Sequence, residues 1–342
     1  MSKRSTFFHH LHPPTIPERE ARFRYTFGLG GIAFFLFCVL ALTGGLELLY
    51  YVPSADGANK SVQAITYLVP YGWLVRGVHY WAAQGLVAVA GLHLLRVVFT
   101  GAYKRPRRFN WLLGVSLFVF VLLLDFTGYA LRWDTDIEWA VLVGTNLLKS
   151  IPGIGSALYG LVVGGSEISG DSIVRFFGWH IFGLTLLAVV AVGWHIFRVR
   201  RDGGISSRPK TELPANSVRI SRNELVKREA FVALLVMIVL LGLTLLSPPS
   251  IGPVGDFLQL PSEARAPWFF IWVQQLLRWG DPFVMGILIP IGVLGLIVVV
   301  PFVLDRHSIG AARWFNREGR SAQIVVAAIA IVISVLTIAG IR

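Results

Sequence analysis

Residues 75–99 read VRGVHYWAAQGLVAVAGLHLLRVVF, with one Arg near either end, two His, and no acidic residue. About 20 helical residues cross the roughly 30 Å hydrocarbon core of a bilayer, so the stretch predicts a membrane-spanning helix. Its histidines, His79 and His93, stand at an i, i+14 spacing. That spacing is about four helical turns, placing both on nearly one face and roughly 21 Å apart along the axis. An imidazole in hydrocarbon is costly unless it pairs or works, so the stretch predicts a function as well as a fold.

Six further stretches have the same character: residues 27–51, 111–133, 173–198, 231–246, 283–304 and 324–341, of which 231–246 is short. With 55% hydrophobic residues among 342 and a mean hydropathy of +0.66, the chain departs from the balance of a soluble domain. The expected fold class is an all-α integral membrane protein of seven transmembrane helices. The segment from Met1 to Thr26 holds charges, three His and three Pro but no apolar run, so no cleavable signal is expected. The single cysteine, Cys38, excludes an internal disulfide or thiolate cluster and reads as a buried small apolar residue.

The formal charge of +12 has a simpler account than nucleic acid. Of the 31 Lys and Arg, 23 fall in the N-terminal tail, the connections after the second and fourth helices, and that after the sixth. The positive-inside rule then puts the N-terminus in the cytoplasm of a multi-pass protein of the cell (inner, plasma) membrane, with some contact to anionic lipid. The polar run 200–227 divides the chain. The expected organisation is a four-helix bundle over 1–202, a cytoplasmic linker over 203–228 and three helices over 229–342. The connection before residue 173 is long for a plain link, and helical pieces at 141–149 and 154–163 are expected along the outer face.

The fourth stretch carries His180 and His195, at i and i+15, and the later three stretches carry no His, since His307 falls in a loop. Alternating helices give the second and fourth the same sense, so His79 levels with His180 and His93 with His195. Two facing imidazoles at each of two depths make two bis-histidine sites, and imidazole is a strong axial ligand of haem iron. The bland alternative is four buried histidines with ordinary hydrogen-bond partners. Zinc has less support, because no carboxylate or thiol lies within a turn of the four. Gly30 and Gly44 on the first helix and Gly114 and Gly128 on the third repeat the i, i+14 spacing, and would let a flat macrocycle approach the backbone. The alternative is that small residues are common in membrane helices. Arg76, Arg96 and Arg200 lie three to five residues from a His, placed either for haem propionates or as boundary residues reaching toward water.

Arg76-Gly-Val-His79, His93-Leu-Leu-Arg96, the run from Thr100 through Lys104 and Pro106, the run from Thr127 to Trp133, and His180 with His195 resemble the cytochrome b family of the bc and b6f complexes. The spacing on the fourth helix is similar to the b6 branch, and the last three helices resemble subunit IV of b6f fused to the same chain. The resemblance implies two non-covalent haem b groups, one on His79 and His180 at the outer side and one on His93 and His195 at the inner side. It also implies quinol as substrate, with a Rieske or other iron–sulfur subunit and a c-type cytochrome as partners; a homodimer is one assembly open to it. Three departures stand out. The family's Pro-Glu-Trp-Tyr motif, whose Glu takes a quinol proton, is matched by Ala266-Pro267-Trp268-Phe269; its Leu-Pro-Trp by Leu131-Arg132-Trp133; and the Cys that anchors an extra haem in b6 by Gly28. No covalent haem is therefore expected. Asp125 and Glu263, with Trp268, are the candidates for the quinol chemistry, and Glu47 is a further acid at similar depth; for Asp125 the alternative is a plain interhelical hydrogen bond. Two functions stay open: a quinol-oxidising electron-transfer subunit, or a haem conduit and anchor for another oxidoreductase. A transporter lacks a supporting carboxylate pair or broken repeat.

Overall fold

The computed structural model describes residues 15–18, 22–202, 204, 218–254, 265–306 and 313–341. Among the described residues, seven helices are long and apolar enough to span a bilayer. In chain order with the shorter elements, the helices are α1 Leu29–Glu47, α2 Ala58–Tyr67, α3 Gly72–Phe99, α4 Arg108–Ala130, α5 Thr135–Lys149, α6 Gly155–Val163, α7 Gly170–Arg201, α8 Arg222–Leu246, α9 Ile271–Leu277, α10 Val284–Val303 and α11 Arg317–Ile341. A small antiparallel ribbon pairs β1, Thr15–Pro17, with β2, Arg219–Ser221. The fold is a multi-pass helical membrane protein.

The bundle of α1, α3, α4 and α7 forms because α1 packs along α3 and α7 along α4, with α3 and α4 closing the set. Leu36, Val39, Val78, Ala82 and Leu86 fill the α1–α3 seam, joined by Leu240 of α8. Most of each spanning helix faces outward, as a lipid-embedded surface requires. Cys38 is among those outward residues rather than buried, because the helical period turns it away from the Leu36–Val39 seam.

Differences from the sequence expectations lie at element ends and have local causes. The fifth spanning helix, α8, starts at Arg222, where the Ser221 hydroxyl accepts from the Glu224 N–H and caps it. The linker assigned to 203–228 therefore contains the first two turns of α8, too polar to register in an apolar scan. The same physics starts α5 at Thr135, ahead of the expected Val141, because the buried Asp134 carboxylate accepts from the Ile137 N–H at 3.1 Å. Asp134 also accepts from Arg132 and, at 2.9 Å, from the Gly252 N–H, tying α5 to the segment after α8. Helix α2, ten residues and polar overall, is too short and too polar to register in an apolar scan.

The last three spanning helices are pinned to the first four at both ends. At one end Gly77 of α3 lies so close to Thr244 of α8 that a Cβ on Gly77 would stand 2.3 Å from the Thr244 Cγ2. Beside it Arg76 donates to the carbonyls of Pro249 and Ser250 at 2.9 and 3.1 Å, and the Trp81 indole donates to that of Ser247 at 2.9 Å. At the other end the α3–α4 turn meets the α10–α11 connection through a buried polar cluster. Tyr103 donates to the Asp305 carboxylate, Lys104 Nζ lies 3.6 Å from Asp305 and 3.0 Å from Asn316 Oδ1, and Arg108 donates to the carbonyls of Asp305 and Arg306. The Lys104 side chain is 0% exposed and that of Asp305 2%. Burial, then Asp305, raises the pKa of the Tyr103 phenol, which stays a donor. The Thr100-to-Arg107 run, singled out as a motif, is thus a joint: Arg107 reaches the carbonyls of Asp202 and Gly204 at the end of α7.

Candidate functional site

Each of the four intramembrane histidines backs onto one of the four ladder glycines across a helix pair. A Cβ would stand 2.7 Å from His180 Cε1 at Gly128, 3.1 Å from His79 Cε1 at Gly44, 3.2 Å from His93 Cε1 at Gly30 and 3.3 Å from His195 Cε1 at Gly114. The glycines let each ring lie against the next backbone. Two of the rings, His180 and His79, then meet groups that fix their tautomer. His180 Nδ1 is 3.0 Å from the Leu124 carbonyl and 3.1 Å from Thr127 Oγ1, while His79 Nδ1 is 2.9 Å from Thr43 Oγ1 and faces the Leu40 carbonyl. A carbonyl oxygen only accepts, so Nδ1 carries the proton and the Nε2 lone pair is left for a metal. The Nδ1 atoms of His93 and His195 are buried without a bonded partner, the Asn110 carbonyl facing His195 outside hydrogen-bonding geometry. His79 and His180 lie within electrostatic reach of each other, as do His93 and His195.

The unequal spacings, i+14 on α3 and i+15 on α7, are reconciled by a π-helical turn. Residues Gly178–Gly183, containing His180, form that turn inside α7. A π-turn takes up one extra residue, so the interval from His180 to His195 covers the same rise as that from His79 to His93. The only hint in the sequence was the mismatch itself.

The arginines differ in their commitments. Arg76 is held by the two carbonyls after α8 and faces Glu47, whose Oε1 is buried without a partner. Arg96 lies over the Tyr25 ring at 4.6 Å and donates through Nε to the Tyr25 carbonyl, leaving a buried Nη2 without a partner. Arg200 faces Glu229 of α8.

On the α3–α4 side the segment before α9 completes a second constellation. Trp268 Nε1 donates to Gln84 Oε1 at 2.7 Å, and Gln84 Nε2 lies 3.4 Å from Asp125 Oδ1. Phe126 meets Phe270 edge-on at 6.1 Å, and Tyr129 OH lies 3.5 Å from the Arg265 carbonyl. The structure brings Asp125 and Trp268 together; Glu263 lies outside the described residues. Gln84 was missed by sequence reasoning, since one amide on a membrane helix carries no pattern. Gly28 has a left-handed φ of +64°, which accounts for glycine there.

The chain is similar to known proteins. The family described as cytochrome b (N-terminal)/b6/petB matches residues 84–253. A menaquinol:cytochrome c reductase cytochrome b subunit of Geobacillus thermodenitrificans is 38% identical over 180 residues, covering 52% of this chain and 80% of the relative. The chain belongs to the cytochrome b/b6 family. Cytochrome b6 of Chlamydomonas reinhardtii is likewise 38% identical, over 175 residues, covering 51% of this chain and 81% of that one. Proteins of the family bind haem b. A chain of a hyperthermophilic respiratory Complex III superposes with a TM-score of 0.81 at 24% identity, over 93% of this chain and 84% of that chain, which extends the shared fold to the last three helices.

The donor set fits the family's cofactor on grounds internal to the chain. His79 and His180 commit Nδ1 and leave Nε2 uncommitted, His93 and His195 each bury an Nδ1 that has no partner among the described residues, and a glycine backs each of the four rings. An arginine with an unpartnered nitrogen stands three residues from His93.

Proposed function

We propose that the chain is the dihaem cytochrome b subunit of a bc/b6f-like quinol oxidoreductase complex, carrying electrons across the membrane from quinol. The observation that carries the reading is the matched pair of imidazole pairs, each ring seated on a glycine. His79 with His180 and His93 with His195 would each hold one non-covalent haem b, and the group supplies reversible one-electron exchange. Thr43, Thr127 and the Leu124 carbonyl orient the outer pair. Gly30, Gly44, Gly114 and Gly128 keep the backbone clear. Arg96, through its unpartnered Nη2, and the positive charges of Arg76 and Arg200 compensate propionates. Residues 1–202 then form the haem bundle, 203–228 the linker and 229–342 a subunit IV-like portion.

The test is haem content by ligand. The purified complex should hold two b-type haems on this subunit, both extracted by acid acetone. His180→Leu should remove one of two optical b components and His195→Leu the other. Loss of neither component in a variant that folds would sink the reading. A second reading, a haem conduit without an outer quinol site, is favoured by Pro267 in place of the family's Glu. It predicts two haems with no quinol-dependent reduction of the outer one.

The name of the Geobacillus relative makes a cytochrome c its acceptor. We extend this to a Rieske or other iron–sulfur subunit and a c-type cytochrome as partners, tested by co-purification. The proposed location is the plasma membrane with the N-terminus cytoplasmic. A reporter placed between residues 205 and 217 should be cytoplasmic, and labelling of that segment by an impermeant reagent added outside inverts the assignment.

A further inference from the structure

Asp125 is a carboxylate on a membrane-spanning helix, where an acid is expensive unless it pairs or works. Its described hydrogen bond is the long one from Gln84, and among the described residues no Lys or Arg forms an ion pair with it. Glu47, an acid on α1, instead faces the cation Arg76. Gln84 in turn is fixed by Trp268, so α3, α4 and the segment before α9 converge on one carboxylate. The residue beside Trp268 is Pro267, which has no titratable group. Aromatic rings wall the approach: Phe126 packs edge-on against Phe270 and Phe176, and the half-exposed Trp268 lies at its mouth.

Resting on the quinol reading above, we infer that Asp125 is the catalytic proton acceptor for a quinol bound between Trp268, Phe126 and α3, and that Gln84 is its positioning residue. The amide has no proton of its own to exchange at neutral pH. It donates to Oδ1 and accepts from the indole, which holds the carboxylate in one rotamer and leaves Oδ2 open. In the step, the quinol O–H bond breaks and an Asp125 Oδ2–H bond forms. The second hydroxyl proton goes to water at the outer face. The two electrons would pass singly to two one-electron oxidants, the haem that His79 and His180 would hold and a metalloprotein at the outer face, and the quinol becomes quinone. This replaces a loop acid by a helix acid: the acceptor comes from α4 rather than from the connection before α9.

The experiment uses the whole complex with both haems, with menadiol and decylubiquinol as probes, and the variants Asp125→Asn, Asp125→Glu, Gln84→Leu and Glu263→Gln. General-base removal typically costs about 100-fold or more. Asp125→Asn should therefore lower kcat about 100-fold with KM little changed, and Asp125→Glu should recover part of it. An infrared difference spectrum taken on binding menadiol, without turnover, should contain a carboxylate band that vanishes in Asp125→Asn and shifts in Gln84→Leu. Asp125→Asn with wild-type kcat and an unchanged infrared spectrum overturns the inference, and loss of activity in Glu263→Gln alone reassigns the acceptor. A wild-type complex that neither binds menadiol nor turns over quinol brings down the quinol reading itself, and the role of Asp125 with it.

Discussion

At Gly128 one methyl group would arrive 2.7 Å from the His180 ring, a separation that folded proteins essentially never tolerate. The imidazole cannot retreat far without breaking the contacts of its Nδ1 to the Leu124 carbonyl and Thr127. Gly128→Ala should therefore cost about 1–3 kcal/mol of overpacking and disturb the outer haem selectively. Gly114→Ala, with 3.3 Å available, should be the milder change. Haem content and midpoint potential of the two variants check the order, and equal effects would show that the rings do not set the glycine requirement. The four histidines and four glycines were legible in the sequence because identical residues recur at a helical interval. Thr43, Thr127 and Gln84 were not, since each acts through one contact across a helix boundary and leaves no periodic trace.

The π-turn at 178–183 makes a directional prediction about α7. Deleting Phe182, an outward-facing residue within the turn, should convert it to ordinary α-helix and leave His180 and His195 at the i, i+14 spacing of α3. Both b components should survive. Deleting Val190 beyond the turn keeps the π geometry and rotates His195 by about 100° relative to His180, so one component should be lost. Optical spectra of the two deletions decide, and equal loss would mean that the turn does not absorb the extra residue. A separate expectation concerns the α3–α8 crossing. Gly77→Val should push α8 away at a cost of about 1–3 kcal/mol, read as a fall in Tm of the solubilised complex, and Thr244→Ala in the same chain should restore part of it. The seven spans could be read from apolar runs because hydrocarbon imposes length and composition directly. Their ends could not, because Ser221 and Asp134 set them by capping in polar sequence.

Across the whole molecule the two halves meet at buried polar groups far apart in sequence, such as Tyr103 and Lys104 with Asp305 and Asn316. No local pattern announces such a joint; the Thr100–Arg107 motif marked one side of it without revealing the partner. Removing Lys104 takes a buried cation away from the Asp305 carboxylate. Lys104→Met should cost about 3–5 kcal/mol, and the double change Lys104→Met with Asp305→Asn should recover most of that, since no buried charge remains and Tyr103 and Asn316 keep hydrogen-bond partners. Thermal unfolding followed by haem absorbance measures both; an undiminished loss in the double variant would show that the charges are not the cause.

The ribbon of β1 with β2 also orders events during synthesis. Thr15–Pro17 leaves the ribosome long before Arg219–Ser221 exists, and at about 5–20 residues per second the wait is on the order of 10–40 s. Four spanning helices enter the bilayer in that interval, so the ribbon can close only after their insertion and leaves the first strand free to engage a chaperone or targeting factor until then.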